Sequence, residues 1–181
     1  MISIVLTTLY ADHVNLSRLF LVIEDEIERI RADQLDVDVD TLTLALEYCA
    51  CYPSHFHHPT EDLMYDMLIR RTPELKGEIA AITADHKTLS QLTETFSNAV
   101  ASATVSGGTK LVHTLGLEFL RQYRRHMHIE NTKLFPAAEK NLTQWDWSEI
   151  EKLANPPVDS LFNEHVREAY LALNRRIVTR A

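Results

Sequence analysis

The stretches that decide the fold are HFHHPTED, residues 55–62, and HMHIENTK, residues 126–133. Each places a histidine four residues before a glutamate; the two pairs are His57 with Glu61 and His126 with Glu130. Residues four apart lie on the same face of an α-helix. The repeated spacing therefore predicts two helices that each present an imidazole and a carboxylate side by side.

The composition favours a soluble, all-helical domain. The chain has 181 residues, of which 45% are hydrophobic and 24% charged, which is typical of a globular protein with one large core. Only four glycines and six prolines are available for tight turns, and apolar residues recur at helical spacing almost throughout. We expect an up-down-up-down four-helix bundle over residues 1–142, with helices of roughly 27 to 32 residues, and a C-terminal helical extension over 143–181 packed on it.

The first half of the chain resembles the second. DHVNLSRL at residues 12–19 aligns with DHKTLSQL at residues 85–92, and each segment is followed by its own histidine–glutamate pair. This pattern predicts a duplicated helical hairpin. In antiparallel helices joined by short turns, His13 and His86 then lie at the same level of the bundle as the two paired histidines, all on apolar faces.

This arrangement predicts a metal site. Four imidazoles and two carboxylates buried without partners would cost several kcal/mol for each unsatisfied group. Nitrogen and oxygen ligands suit iron, manganese or zinc, and bundle cores are known to hold paired ions on such side chains. The predicted ligands are His13, His57, Glu61, His86, His126 and Glu130.

Several neighbouring side chains allow two interpretations. A regular helix turns about 100° per residue, so the residues beside the ligands point away from the ligand face and belong to its surroundings or to the surface; these are His58, Asp62 and His128. Tyr10 and Tyr123 share the ligand faces, where they either pack in the core or donate hydrogen bonds to the carboxylates. Asp12 and Asp85, which precede the first and third histidines, either support the site or face solvent.

Other features are predicted from local pattern alone. Pro53 and Pro59 lie inside the second helix and predict a kink or break beside the polar cluster. His55 and His113 are expected at the surface. His165 lies on the C-terminal tail, where it would cover an edge of the bundle or approach the metals.

The order His…His-x-x-x-Glu…His…His-x-x-x-Glu resembles the hemerythrin-like HHE cation-binding domains, and HHPTED and HIENTKLFP are typical of them. The resemblance covers about residues 5 to 140. It implies a non-haem di-iron centre, with the four histidines as terminal ligands, the two glutamates as bridges between the ions, and an oxo or hydroxo bridge between the ions. It further implies dioxygen, nitric oxide, peroxide or iron as the species that the protein binds or responds to.

The chain departs from the oxygen-carrying hemerythrins at two positions. Ser90 stands where those proteins have a further histidine, and Asn131 stands where they have an aspartate, the carboxylate here being Glu130. The set of four histidines and two glutamates is more similar to the iron–sulfur repair and iron- or oxygen-sensing branches. Iron storage or buffering, iron–sulfur repair, and a redox-inert structural zinc bundle therefore stay as alternatives.

The remaining patterns limit the classes of partner. A net charge of −8 argues against nucleic acid, whose phosphates require a basic face. No apolar run approaches the length of a membrane span, and MISIVLTTLY lacks the features of a secretion signal. Cys49 and Cys51 are too close in a helix to pair easily, which fits the reducing cytoplasm. We expect a cytoplasmic monomer or homodimer; the sequence shows neither a nucleophile–base set nor a phosphate loop, so an enzymatic activity is left open.

Overall fold

A computed structural model describes residues 3–31, 38–106, 108–154, 161–162 and 170–179. Every regular element in these ranges is helical, which confirms the predicted all-α class. The α-helices are α1 (Ile4–Arg31), α2 (Val39–Tyr52), α3 (His58–Arg71), α4 (Lys76–Ser106), α5 (Thr109–Ile129), α6 (Phe135–Asn141), α7 (Gln144–Leu153) and α8 (Leu171–Val178). A 3₁₀ turn, Pro73–Leu75, leads into α4.

The long helices α1 and α5 run antiparallel. Glu24 pairs with Arg124 at 2.8 Å, whereas Glu28, one turn further along α1, lies 3.3 Å from His113, which is earlier in α5. The helices α4 and α5 are also antiparallel. Asp85 pairs with Arg125 at 3.1 Å, and the hydroxyls of Thr93 and Tyr123 lie 3.3 Å apart.

Two π-helical turns lie within the predicted second and fourth helices. Pro53–His57 joins α2 to α3, and Glu130–Leu134 joins α5 to α6. At the end of each turn a backbone N–H donates to the carbonyl five residues earlier, from His58 to Pro53 and from Phe135 to Glu130. Both turns adjoin a histidine–glutamate pair.

A proline follows each π turn at the same distance, Pro59 after the first and Pro136 after the second. In a regular helix the proline ring clashes with the carbonyl four residues earlier and lacks an N–H to donate. A π turn widens the helix and displaces that carbonyl. The kink predicted at Pro53 and Pro59 takes this form, and the second π turn was not predicted.

The interior contains two apolar clusters with a polar layer between them. Along α1, Leu6 and Leu9 belong to one cluster and Leu16 and Phe20 to the other, with His13 between them. Fully burying a side chain of this size contributes roughly 1.5–3 kcal/mol. The apolar layers on both sides therefore hold the polar layer at a fixed depth and exclude solvent from it.

The C-terminal elements contact the long helices through ion pairs. Asp146 in α7 accepts two hydrogen bonds from Arg71 of α3, both at 3.0 Å. Arg176 in α8 pairs with the buried Glu26 and, at 3.1 Å, with Asp38. These contacts agree with a tail that packs on the bundle, although the division at residues 142 and 143 stays a prediction.

His165, which was predicted on the C-terminal tail, lies outside the described residues. None of the helices that the structure describes is both long and apolar enough to cross a membrane.

Candidate metal centre

His13, Glu61 and His57 form the first of two groups of potential ligands. One ligand atom from each lies within 4.8 Å of the others. The Nε2 atoms of the two imidazoles are 3.0 Å apart, and Glu61 Oε1 is 3.1 Å from His57 Nε2 and 3.7 Å from His13 Nε2. All three side chains are buried. The long-range pairing of α1 with the α2–α3 segment, which the register of the repeats predicted, is what brings them together.

The second group combines Glu61 with three imidazoles, those of His58, His86 and His126, again within 4.8 Å. His86 Nε2 lies 3.4 Å from Glu61 Oε2. The rings of His86 and His126 are 5.1 Å apart and nearly perpendicular. Because Glu61 has one oxygen near each group, its carboxylate is placed as a bridge would be.

Glu130, the first residue of the π turn after α5, lies near the same two groups. Its Oε2 is 3.2 Å from His126 Nε2 and 3.4 Å from His13 Nε2, and its Oε1 is 3.9 Å from His86 Nε2. Glu130 and Glu61 are both fully buried. All six predicted ligands therefore meet in one place, and their role as ligands stays a prediction.

Many atoms of this cluster are not satisfied by hydrogen bonds within the described residues. Although their nitrogen–oxygen separations are short, seven buried side-chain atoms form no hydrogen bond within the described residues; they belong to Glu61 (both oxygens), His86 and His126 (both ring nitrogens each) and Glu130 (Oε2). Unpaired buried polar atoms are rare because each costs about 1–3 kcal/mol. Imidazole and carboxylate donors around one point are the usual ligands of iron, manganese and zinc, so the residues fit a metal ion.

An acidic and an amide side chain orient two of the imidazoles by hydrogen bonds to Nδ1. His57 Nδ1 donates to Asp12 Oδ2 at 2.9 Å, and Tyr52 donates its hydroxyl to the other oxygen of Asp12 at 3.2 Å. His13 Nδ1 donates to Asn131 Oδ1 at 2.8 Å. With Nδ1 engaged in this way, Nε2 of each ring is left to face the cluster, which is the arrangement expected of metal-bound histidines.

Asp12 and Asp85, which the repeat aligns, lie in different environments. Asp12 is buried behind His57, whereas Asp85 is paired with Arg125 at the surface. The carboxylate that approaches His86 is instead Asp62, whose Oδ1 lies 3.3 Å from His86 Nδ1. The two halves of the chain therefore share ligands but support them differently.

The tyrosine that contacts the cluster is Tyr65, which the sequence analysis did not single out. Its buried hydroxyl donates to Glu130 Oε1 at 2.8 Å. Of the two tyrosines considered, Tyr123 lies beside Thr93 and Tyr10 packs edge-on against Phe135. The signal available in the sequence was the spacing of Tyr65 four residues after Glu61.

His58 was expected in the surroundings of the site or at the surface, and the structure shows it in the interior beside the cluster. His58 is only 4% exposed, and its ring is stacked on that of His86. In α3, which begins at His58, His58 and Glu61 are three residues apart and therefore lie next to each other on one helical face. Three other histidines lie outside the cluster. His55 and His128 are exposed, and His113 is partly buried beside Glu28.

Burial and the neighbouring carboxylates have opposite effects on the pKa values of His57 and His86. Burial lowers the pKa of His57, but the charge of Glu61 and the hydrogen bond to Asp12 outweigh it and raise the pKa to about 10. Burial likewise lowers the pKa of His86, but the nearby carboxylates of Asp62, Glu130 and Glu61 outweigh it and raise the pKa to about 11. Protons on these rings balance the carboxylates when no cation does so, and a metal ion would take their place.

The pKa values of His58 and His126 are lowered, unlike those of His57 and His86. Burial holds the pKa of His58 well below its ordinary value, and the charge of His86 adds to this effect. Burial also lowers the pKa of His126. Both imidazoles are therefore neutral at neutral pH, which leaves a nitrogen lone pair for a metal ion.

The chain matches the family model of the hemerythrin HHE cation-binding domain over residues 5–138. Neither curated proteins nor solved structures gave a significant match. The matched region includes all six predicted ligands as well as His58 and Tyr65.

Proposed function

Since the match covers most of the chain, the protein belongs to the hemerythrin HHE cation-binding family, and from this premise we propose that it holds a non-haem di-iron centre that binds or responds to dioxygen or nitric oxide. The bundle that would carry this centre is the up-down-up-down arrangement of α1, α2–α3, α4 and α5–α6. Its antiparallel pairs α1–α5 and α4–α5 support this topology.

The observation that carries the proposal is the set of buried nitrogen and oxygen atoms of Glu61, Glu130, His86 and His126 that form no hydrogen bond within the described residues. A structural cluster would be expected to satisfy its own polar groups. Two overlapping groups of donors that share Glu61 favour two cations over one.

In this proposal each residue has a definite task. His13 and His57 would hold one ion, His86 and His126 would hold the other, and His58 would add a third imidazole to the second position. Glu61 and Glu130 would serve both positions as carboxylate ligands. The bound iron pair would supply electrons to a diatomic ligand.

The surrounding residues prepare the centre for this chemistry. Asp12 holds the proton of His57 on Nδ1, and Asn131 does the same for His13. Tyr65 keeps a hydrogen bond on one oxygen of Glu130, which leaves the other oxygen to face the imidazoles. Burial of both glutamates excludes water, so that access to the ions is limited to small molecules.

Elemental analysis of the untagged protein tests the proposal, followed by absorption spectra under reducing, anaerobic conditions before and after adding dioxygen or nitric oxide. About two irons per chain and a spectral change with either gas are expected. A spectrum that neither gas alters would contradict the proposed gas response even if iron is present.

The same measurements separate the alternatives. Zinc in place of iron, with unfolding on metal removal and no redox change, would identify a structural bundle. Iron well above two per chain would indicate storage. Restoration of a damaged iron–sulfur protein by the purified chain would indicate repair.

A further inference from the structure

A cavity of about 350 Å³ lies beside the metal centre and shares His57 with it. Its walls come from α1, from the segment around the first π turn and from the end of α7. The floor is formed by Asp12 and His57, and the apolar wall includes Leu9, Tyr52 and Phe56. This volume is at the low end of the range of small-molecule sites, which are mostly apolar with a few placed polar groups.

The polar groups that line the cavity have already used their donor hydrogens. Thr8 donates its hydroxyl hydrogen to the carbonyl of Ile4 at 2.9 Å, and Thr60 donates to that of Phe56 at 2.7 Å. At the floor, His57 donates to Asp12. The hydroxyl of Tyr52 is engaged in the same way, as a donor to Asp12.

The cavity therefore offers acceptors to a ligand. An ionised carboxylate has about four acceptor positions, and the two hydrogen bonds from Tyr52 and His57 leave capacity on Asp12. The hydroxyl oxygens of Thr8 and Thr60 also accept, and Glu151 adds a second carboxylate at the rim. Such a lining favours a ligand that donates a hydrogen bond, and it disfavours an anion.

The apolar wall indicates the body of the ligand. The rings of Tyr52 and Phe56 are 5.9 Å apart and tilted by 47°, so an aromatic ring can pack against both in edge or offset contact. Asp12 already accepts two hydrogen bonds, from His57 and from Tyr52, so a neutral donor is sufficient and a cation is not required.

We propose that this cavity binds a small, uncharged aromatic molecule with a hydroxyl group, the hydroxyl donating to Asp12. A ligand in this position lies behind the imidazole of His57 and not on the metals. The inference goes beyond the proposed di-iron function and does not depend on which metal is bound.

Equilibrium dialysis of the full-length protein with three probes tests the chemistry. 4-Ethylphenol has the donor, 4-ethylanisole is the same molecule without it, and 4-ethylbenzoate is an anion of similar size. We expect the phenol to bind at least tenfold more tightly than the ether and the benzoate. Equal binding of phenol and ether, or no binding of the phenol, would overturn the proposal.

A pair of variants tests the location. Thr8 and Thr7 are both exposed threonines that donate to the carbonyl four residues earlier, but only Thr8 lines the cavity. Thr8→Trp should weaken phenol binding at least tenfold, and Thr7→Trp should leave it unchanged. Metal content, measured in parallel, should be unaltered in both, which separates failure of this site from failure of the di-iron proposal. An equal effect of the two variants would place the phenol elsewhere and refute the assignment.

Discussion

The imidazole of His58 lies flat against that of His86, with ring centroids 4.1 Å apart and an angle of 4° between the rings. The same ring meets that of His126 at 5.7 Å, nearly edge-on. His58 thus lies among the imidazoles of the second group, while the corresponding position after His126 is Met127. The two proposed metal positions are therefore unequal, with three imidazoles near one and two near the other.

Replacing His58 by phenylalanine should weaken one metal position selectively. Phenylalanine keeps a flat ring that can pack on His86 but offers no nitrogen ligand. We expect the second metal to be lost or bound about 10- to 100-fold more weakly, with the helical content unchanged. Metal titration by calorimetry, together with elemental analysis, measures this.

The exposed His55 provides the control, since His55→Phe removes an imidazole from the same segment without touching the cluster. If His58→Phe binds both metals as tightly as the wild type, His58 acts by packing and is not a ligand.

Replacing Asp12 by asparagine should lower metal affinity about 10- to 100-fold, because the partner of a ligand imidazole sets its orientation and basicity. Asp85 occupies the equivalent place in the second repeat but is paired with Arg125 at the surface. Asp85→Asn should therefore have little effect. Equal losses in the two variants, measured by competition with a chelator, would contradict the role given to Asp12.

Glu61→Gln should affect both metal positions at once, because Glu61 belongs to both groups of potential ligands. A neutral amide lacks the charge and the second acceptor oxygen of a bridge. We expect metal content to fall below one ion per chain, with a loss of affinity of about 100-fold or more. The control is Glu78→Gln, which changes a carboxylate in an exposed ion pair. If Glu61→Gln loses only one ion, the carboxylate of Glu61 serves one metal position only.

Gly116→Ala tests the packing of α5 against its neighbours. A Cβ at this position would lie 2.7 Å from Ile27 Cγ2 and 2.9 Å from Phe96 Cζ, both in buried side chains. We expect the free energy of unfolding to fall by about 1–3 kcal/mol, as is usual for an overpacked core. Urea denaturation measures this. The control is Gly77→Ala in α4, where a Cβ would meet open space; it should leave the free energy of unfolding unchanged or raise it by up to about 1 kcal/mol. If Gly116→Ala does not change the free energy of unfolding, α1 and α4 adjust to the added methyl group.

Asp146 should make stability depend on pH in the acid range. Burial raises its pKa, but hydrogen bonds from Arg71 and Thr143 lower it by more, so the folded-state pKa is below the ordinary value. A depressed pKa contributes stability above the unfolded-state value, near 3.9, that is lost as pH falls through the folded-state value.

Asp146→Asn should therefore cost about 1 kcal/mol at neutral pH, where Asp146 completes the capping box of α7 with Thr143, and the cost should shrink below about pH 4. Urea denaturation at several pH values measures it. Glu149→Gln, at an exposed pair on the same helix, is the control; a cost that stays constant down to pH 3 would show that the carboxylate charge is not what stabilises the cap.

The sequence was sufficient to predict the helical class and the six residues that meet in the cluster. The His-x-x-x-Glu spacing puts each pair on one helical face whatever the rest of the chain does, because that spacing is a property of the α-helix itself. The repeat of DHVNLSRL as DHKTLSQL then placed His13 and His86 at the same level, since antiparallel helices with short turns have a register fixed by length.

Only the tertiary structure decided which neighbours support the cluster. Asp12 and Asp85 are equivalent in the repeat, yet one is buried behind His57 and the other pairs with Arg125, because the helices packed around them differ. His58 stacks on His86 of α4, a contact between two helices that the spacing within HFHHPTED does not specify. Contacts such as that of Tyr65 with Glu130 join residues 65 apart in the chain, and local spacing carries no information about side chains brought together by packing.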